Sequence, residues 1–433
     1  MCNLSVIMKA DFCTMKNQVK PNVTEMKKLL LLAIFIVFSV YGYSQTQTVD
    51  SLKEVMDRHE GKINALDERV LINESDLGKL NKIKISGYIQ AEFRNYQSGL
   101  VKTNDPYSTF LIRRARIKFT YEPLDGVKFV LQPDFSTGNL TLKDAYAVVN
   151  IPKIKDWSLW AGQFNRPNYE VEYSSGQREV MERSRVIRAI YPGEREIGIK
   201  LEYLGSKIPL KFQFAVLNGN FTGSQAIDVD TKKDVMSRLV YSVKLPQAGI
   251  GIDLGVNGYY GGTRAKANPF ISRITGETDS VTLGSYLKKQ WMGGEIQIFA
   301  DFLGGMALKA EYMSGTNNYA SLTGLISAIA ALKGDPNKER TFSGYYFYLI
   351  KNVGPKFQLV GRYDYFDPNK KTSGDRSTNT ELYYKTWALA TQYYLNDNIR
   401  ISLQYEIPQN ETNTKVPNDL KDNTLTVRVQ AKF

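Results

Sequence analysis

The chain changes its hydrophobic period at Leu80. From Val49 to Leu80 apolar side chains recur in heptads, with Val49, Met56, Ile63, Val70 and Leu77 at a and Leu52, His59, Leu66, Asn73 and Leu80 at d. This pattern predicts a short coiled-coil helix over 45–80. His59 and Asn73 at core positions would set register and partner number at some cost in stability, while Gly61 and Gly78 weaken the helix locally. The same stripe would also suit an amphipathic helix lying on the domain that follows.

After Leu80 the period becomes two and stays so to the last residue. Ile85, Gly87, Ile89, Ala91 and Phe93 alternate with Ser86, Tyr88, Gln90, Glu92 and Arg94; Ile399, Ile401, Leu403 and Tyr405 alternate with Arg400, Ser402, Gln404 and Glu406. One face of each strand is apolar and the other strongly polar. Such segments fall at 84–94, 110–121, 126–136, 140–151, 156–164, 194–204, 208–218, 235–246, 249–260, 290–301, 304–314, 342–352, 355–366, 382–395, 398–407 and 423–433, sixteen in all. Short turns at 122–125, 152–155, 205–207, 246–248, 302–303, 353–354 and 396–397 separate long connections at 95–109, 165–193, 219–234, 261–289, 315–341, 367–381 and 408–422. Only 137–139 breaks the rule by being short. An even strand number with turns short at one end and loops long at the other is the signature of a transmembrane β-barrel. A soluble sandwich or propeller would alternate too, but nothing here suggests a blade repeat. The expected fold is therefore all-β: a sixteen-stranded antiparallel barrel over 81–433 preceded by the coiled-coil helix.

Composition agrees. In 433 residues of mean hydropathy -0.33 there are 27 Tyr and 20 Phe, too many aromatics for hydrophilic disorder and too little apolar run for a helical membrane protein. The one long apolar run, Leu29 to Val40, follows Met26-Lys27-Lys28 and precedes Gly42-Tyr43-Ser44-Gln45, which predicts an export signal over 26–44 cleaved after Ser44. It is too short for a helix that crosses a bilayer. Residues 1–25 read as leader ahead of the true start at Met26, and both cysteines, Cys2 and Cys13, lie there, so the mature chain has no thiol. Removing the five basic and two acidic residues of 1–44 lowers the net charge from +12 to +9. Export argues against a nucleic-acid partner, and a positive pore or an anionic lipid surface accounts better for the basic balance.

Phe110-Leu111-Ile112-Arg113-Arg114-Ala115-Arg116-Ile117, Gly162-Gln163-Phe164-Asn165-Arg166-Pro167, Pro192-Gly193-Glu194-Arg195-Glu196-Ile197-Gly198 and Gly361-Arg362-Tyr363-Asp364-Tyr365-Phe366-Asp367-Pro368 resemble segments of the phosphate-selective porin O and P family, and the resemblance covers nearly all of 80–433. The terminal Thr426-Val427-Arg428-Val429-Gln430-Ala431-Lys432-Phe433 is similar to the segment by which outer-membrane proteins reach their assembly machinery. The resemblance implies a homotrimer of sixteen-stranded barrels in the outer membrane, passing small anions such as phosphate, with the third external loop folded into the lumen. Here that loop is 165–193. Where the family often has Lys after Gly-Gln-Phe, this chain has Asn165 and then Arg166.

Alternation turns Arg114, Arg116 and Lys118 inward and Ala115, Ile117 and Phe119 toward lipid. By the same rule Arg94, Lys200, Arg238, Arg362, Arg400, Arg428 and Lys432 face the lumen, where rings of Arg and Lys favour anion entry. Glu92, Glu196, Glu202, Asp364 and Glu406 face inward too, so these cations can equally form salt-bridge ladders that stiffen the wall. Strict alternation would send Arg113 to lipid, near the outer rim. The loop carries Arg166, Arg178, Arg183, Arg185 and Arg188 against Glu170, Glu172, Glu179 and Glu182. Converging guanidinium groups would make a weak anion site; the plainer alternative is that these charges only pin the loop.

Residues 81–433 contain neither His nor Cys, which removes Ser-His and Cys-His catalysis and imidazole or thiolate metal sites. Asp367-Pro368-Asn369 and Asp419-Leu420-Lys421-Asp422 lack the spacing of an EF-hand. No catalytic residue, metal or cofactor is expected. The expected function is passive diffusion of small anions across the outer membrane, with the phosphate or polyphosphate selectivity that the resemblance implies, and with an N-terminal coil in the periplasm. The alternatives are a non-selective diffusion porin and a structural or adhesive barrel tethered through its coil.

Overall fold

The computed structural model describes residues 23–80, 82–98, 106–136, 138, 140–219, 228, 230–264, 270–272, 279–281, 284–318, 339–377 and 381–433. The leader expected over 1–25 lies outside the described residues apart from Val23 to Glu25. Two units emerge, 1–80 and 81–433. In the first, α1 runs unbroken from Val23 to Leu80, so the expected signal and coil segments are one helix of 58 residues. No described helix is long and apolar enough to cross a membrane. The a and d side chains Met56, Ile63, Leu66, Val70 and Leu77 are all exposed.

The second unit is a closed antiparallel barrel of sixteen strands. The strands are β1 (Ile83–Tyr96), β2 (Tyr107–Leu124), β3 (Val127–Asp134), β4 (Thr141–Asn150), β5 (Trp157–Asn165), β6 (Arg195–Leu204), β7 (Leu210–Leu217), β8 (Asp234–Leu245), β9 (Ile250–Arg264), β12 (Tyr286–Ala300), β13 (Met306–Asn317), β14 (Arg340–Val353), β15 (Phe357–Asp367), β16 (Tyr384–Tyr394), β17 (Ile399–Asn410) and β18 (Thr424–Lys432). Each pairs with its neighbour in the chain, and β18 closes on β1. All sixteen expected strands are present. One small hairpin was not expected: β10 (Phe270–Ser272) and β11 (Asp279–Val281) pair inside the connection from β9 to β12.

Closure follows from the solvent. A bilayer satisfies no backbone group, so every N–H and C=O must pair with another strand and no edge is left. The apolar face then turns outward: Ile89, Leu159, Ile199, Leu254, Leu308 and Leu403 are exposed, while Gln90, Arg116, Lys200, Arg238, Gln404 and Arg428 are buried. Tyr121, Phe129 and Phe357 stand outward near the short turns, and Tyr260, Tyr345 and Trp387 toward the long loops. These are the two aromatic girdles of a membrane barrel.

Strict alternation fails in the middle of β2. Gln90 pairs with Arg114 but Ala91 with Ile112, so Arg113 is the extra residue of a β-bulge. The bulge lets two consecutive arginines turn to the lumen, and Arg113 pairs there with Glu182 at 2.7 Å instead of facing lipid as alternation required.

Candidate functional site

The connection 166–194 folds into the barrel. It carries two short helices, α2 (Tyr169–Glu172), whose first turn is capped by Asn168 accepting from the Val171 N–H, and α3 (Arg185–Ile190). Val186, Ile187, Ile190 and Tyr191 are fully buried in an apolar cluster with Trp291, Phe342, Tyr346, Phe366, Leu382 and Tyr384. Each such aliphatic side chain contributes about 1.5–3 kcal/mol by leaving water. Tyr191 accepts a hydrogen bond from the Trp291 indole at 3.0 Å, and Trp291 stacks on Tyr259 at 4.1 Å. Gly344 of β14 admits the helix: a Cβ there would lie 2.6 Å from the Val186 side chain. The lumen wall at β12 and β14–β16 is thus covered by a hydrophobic core.

Glutamates fasten the rest of the loop. Glu170 accepts from the Ser184 hydroxyl at 2.7 Å and the Tyr348 hydroxyl at 2.6 Å. Glu172 meets Lys211 at 2.7 Å and Arg238 at 2.9 Å, and Glu179 meets Lys309 at 2.7 Å. Glu182 is held by Arg113 at 2.7 Å, Arg94 at 3.0 Å and Arg114 at 3.7 Å. Burial opposes ionisation of Glu182, but Arg113, Arg114 and Arg94 outweigh it and hold the carboxyl well below its usual range. On the same wall, Ser175 shares a 2.5 Å hydrogen bond with Tyr88, and its carbonyl accepts from Gln90 at 3.0 Å.

Between this segment and the wall of β1–β7 and β18 lies a cavity of about 590 Å³. Its charged lining comprises Arg116, Lys118, Arg183, Arg195, Lys200, Lys211 and Lys432 against Asp144, Glu172, Glu194 and Glu202. Many cations are paired: Arg116 with Asp134 at 2.7 Å, Lys200 with Glu202 at 3.3 Å, Arg183 with Glu194, and Arg195 with Asp144 at 3.0 Å. Among the described residues Lys118 and Lys432 form no ion pair.

The other residues singled out by alternation divide between wall and loop. Arg238 grips Glu295 at 2.6 Å, Arg362 meets Asp364 at 3.0 Å, and Arg428 bonds Glu92 at 2.5 Å. Arg400 donates to Gln430 at 3.1 Å. Within the loop, Arg166 donates to the Pro192 and Arg195 carbonyls, at 2.5 and 3.2 Å, and Arg185 reaches Asp422 at 3.8 Å. Arg188 has no carboxylate partner among the described residues. Arg178 is 3% exposed, and none of its three guanidinium nitrogens has a hydrogen-bond partner. Of the arginines singled out by alternation and loop position, Arg94, Arg114, Arg116, Arg183, Arg185, Arg238, Arg362 and Arg428 pair with carboxylates.

Alternation missed Arg195, which is buried at the first position of β6 next to Glu194, a residue with a positive φ of 69°. It also missed the aromatic rings facing the cavity, Tyr146 and Trp160, which stand 4.8 Å apart. Gly162 of the Gly-Gln-Phe segment has φ +123°, and a Cβ there would strike the Ala145 carbonyl oxygen at 2.3 Å, so only glycine fits this strand crossing. Among the described residues no cluster of acids or histidines could hold a metal.

A closed barrel with lipid-facing apolar bands, a charged lumen and an inward loop defines an outer-membrane porin channel. The family described as phosphate-selective porin O and P matches residues 83–433, and the chain belongs to it. Among solved structures, an anion-selective porin from Comamonas acidovorans is similar over 81% of this chain and 99% of its own, at 9% identity and TM-score 0.53. The outer membrane channel DcaP of Acinetobacter baumannii is similar over 81% and 97%, at 12% identity and TM-score 0.54. A trimer form of OmpT from Vibrio cholerae is similar over 81% and 99%, at 11% identity and TM-score 0.50. These likenesses are likenesses of fold. No curated protein matches the chain significantly.

Proposed function

We propose that this porin passes small anions in preference to cations and holds an oxyanion such as phosphate weakly on the way. The observation that carries this reading is the cavity beside the loop, where basic side chains outnumber acidic ones and Lys118 and Lys432 stand without an acid. A positive lumen wall raises the local anion concentration and repels cations. Guanidinium groups reward a multi-oxygen anion more than a halide, because they contact it bidentately. The reading extends to assembly: the uncovered heptad stripe of α1 would be buried by two further copies in the periplasm, giving a homotrimer whose long loops face outside.

Reversal potential in a salt gradient tests the sign of the selectivity, and cation preference would overturn it. Millimolar phosphate should block the chloride current, and changing Lys118 and Lys432, which leave no acid behind, to Gln should relieve the block with the barrel intact, since lumen substitutions tune selectivity more than stability. The pairing of Arg116 with Asp134 favours a second reading, a general diffusion pore. Chloride current indifferent to phosphate in the wild-type protein would decide for it.

A further inference from the structure

The cavity beside the loop is larger than an inorganic oxyanion needs, and part of its wall is aromatic. Its volume of about 590 Å³ lies within the roughly 300–1,000 Å³ of sites that take organic ligands. Trp160 and Tyr146 lie 4.8 Å apart with planes 30° from parallel, and both are only half-buried, as is Tyr173 opposite them on the loop. Lys200 sits 3.7 Å above the Trp160 ring. Half-exposed ring surface contributes little to a fully hydrated ion such as phosphate, and it remains a wetted apolar wall unless a solute covers it. The unpaired ammonium groups of Lys118 and Lys432 line the same cavity.

We infer that this chamber takes organic anions that carry a ring, the ring lying against Trp160 and Tyr146 while the anionic head meets the cavity's free lysines. This rests on the anion-conducting reading above and adds a substrate class to it. Inorganic phosphate would then be a poor ligand of the chamber, able to use the cations but not the rings.

The test compares two probes with the same head, phenyl phosphate and methyl phosphate, as blockers of chloride current through the full-length protein in planar bilayers. Phenyl phosphate should block at a concentration about tenfold lower than methyl phosphate, the scale of one ring stacked on an aromatic side chain. Trp160→Leu should bring the two probes to within about twofold of one another. Equal block of the wild-type channel by both probes would overturn the inference while leaving anion conduction standing, provided its reversal potential is anionic. A cationic reversal potential would instead remove the anion reading and this inference with it. If Trp160→Leu keeps the tenfold difference, the ring binds elsewhere and the chamber is not the site. The wild-type comparison needs no variant, so a misfolded Trp160→Leu would not shield the proposal.

Discussion

Glu182→Gln is the substitution that reports most directly on where ions pass. The glutamate neutralises Arg113, Arg94 and Arg114 at 2.7, 3.0 and 3.7 Å. Its amide isostere keeps the size and one acceptor, and removes one negative charge. The loop should stay in place, because its backbone is fixed independently: the Met181 N–H donates to Gln404 at 2.7 Å and Arg362 donates to the Glu182 carbonyl at 2.6 Å. For an ion passing about 8 Å away through a medium of effective dielectric about 20, one charge is worth about 2 kcal/mol. Screening over a Debye length of about 10 Å at 0.1 M leaves about 1 kcal/mol. Chloride gains that amount and potassium loses about as much, so the difference is about 2 kcal/mol in all and the chloride-to-potassium permeability ratio should rise roughly twentyfold. At 1 M salt, with a Debye length of about 3 Å, the effect should nearly vanish. Reversal potentials in matched gradients at low and high salt measure both. An unchanged ratio at 0.1 M would show that ions do not pass this cluster, and the constriction would have to lie elsewhere.

Ile187→Ala empties space in the lumenal core and should cost about 2–5 kcal/mol of loop anchoring, read as added current noise with the strand content of the circular dichroism spectrum unchanged. Asp422, half-buried beside Arg185 with Asp419 and Glu406 near, is pushed up to about 7, loss of water around the carboxyl being the largest cause. Its folded value lies above its unfolded value, so the loop contact it makes is most stable when it is protonated and weakens as pH rises toward 7. Gating events should therefore become more frequent from pH 5 to 8, and Asp422→Asn should flatten that dependence. Deleting 45–80 should leave a barrel of full conductance, because its sixteen strands close on one another, and should abolish trimers seen by cross-linking if the helices hold the copies together.

The barrel was legible because the bilayer enforces it residue by residue: a side chain on the wrong face is penalised at once, so alternation records the strands. Arg113 escaped because a bulge is one extra residue with no composition of its own; only its partner Glu182, 69 positions away, shows which way it points. Pairings such as Arg94 with Glu182 and Arg238 with Glu295 join distant strands and loops, which local pattern cannot assign. Yet the inward course of the loop left a local trace. In β14 the inward positions are Phe342, Tyr346, Tyr348 and Ile350, and the outward ones Tyr345, Phe347 and Leu349 are apolar as well. A lumen wall of that kind cannot face water, so protein must cover it. Val186, Ile187, Ala189, Ile190 and Tyr191 form an apolar run in the long connections that can do so.

On the reading proposed above, that contact also fixes which side of the lumen conducts. If the charges alone held the loop, its position would rest on pairs whose mutual attraction is largely offset by the cost of taking both charges out of water. Burial of α3 against β14 and β15 involves several side chains at about 1.5–3 kcal/mol each, which together exceed the net worth of any one buried ion pair in the ladder. The loop therefore stays on the apolar wall while the charges opposite it vary, and the open cavity remains beside β1–β7. Charge substitutions should consequently alter which ion passes and leave the size of the passage alone. Substitutions in the apolar anchor should do the reverse, changing conductance before selectivity. A charge-reversing variant such as Glu172→Lys, which sets a cation among Lys200, Lys211 and Arg238, separates the two. It should shift the reversal potential toward anions at nearly constant single-channel conductance, and a conductance change exceeding the selectivity change would show that electrostatics, not the hydrophobic anchor, positions the loop.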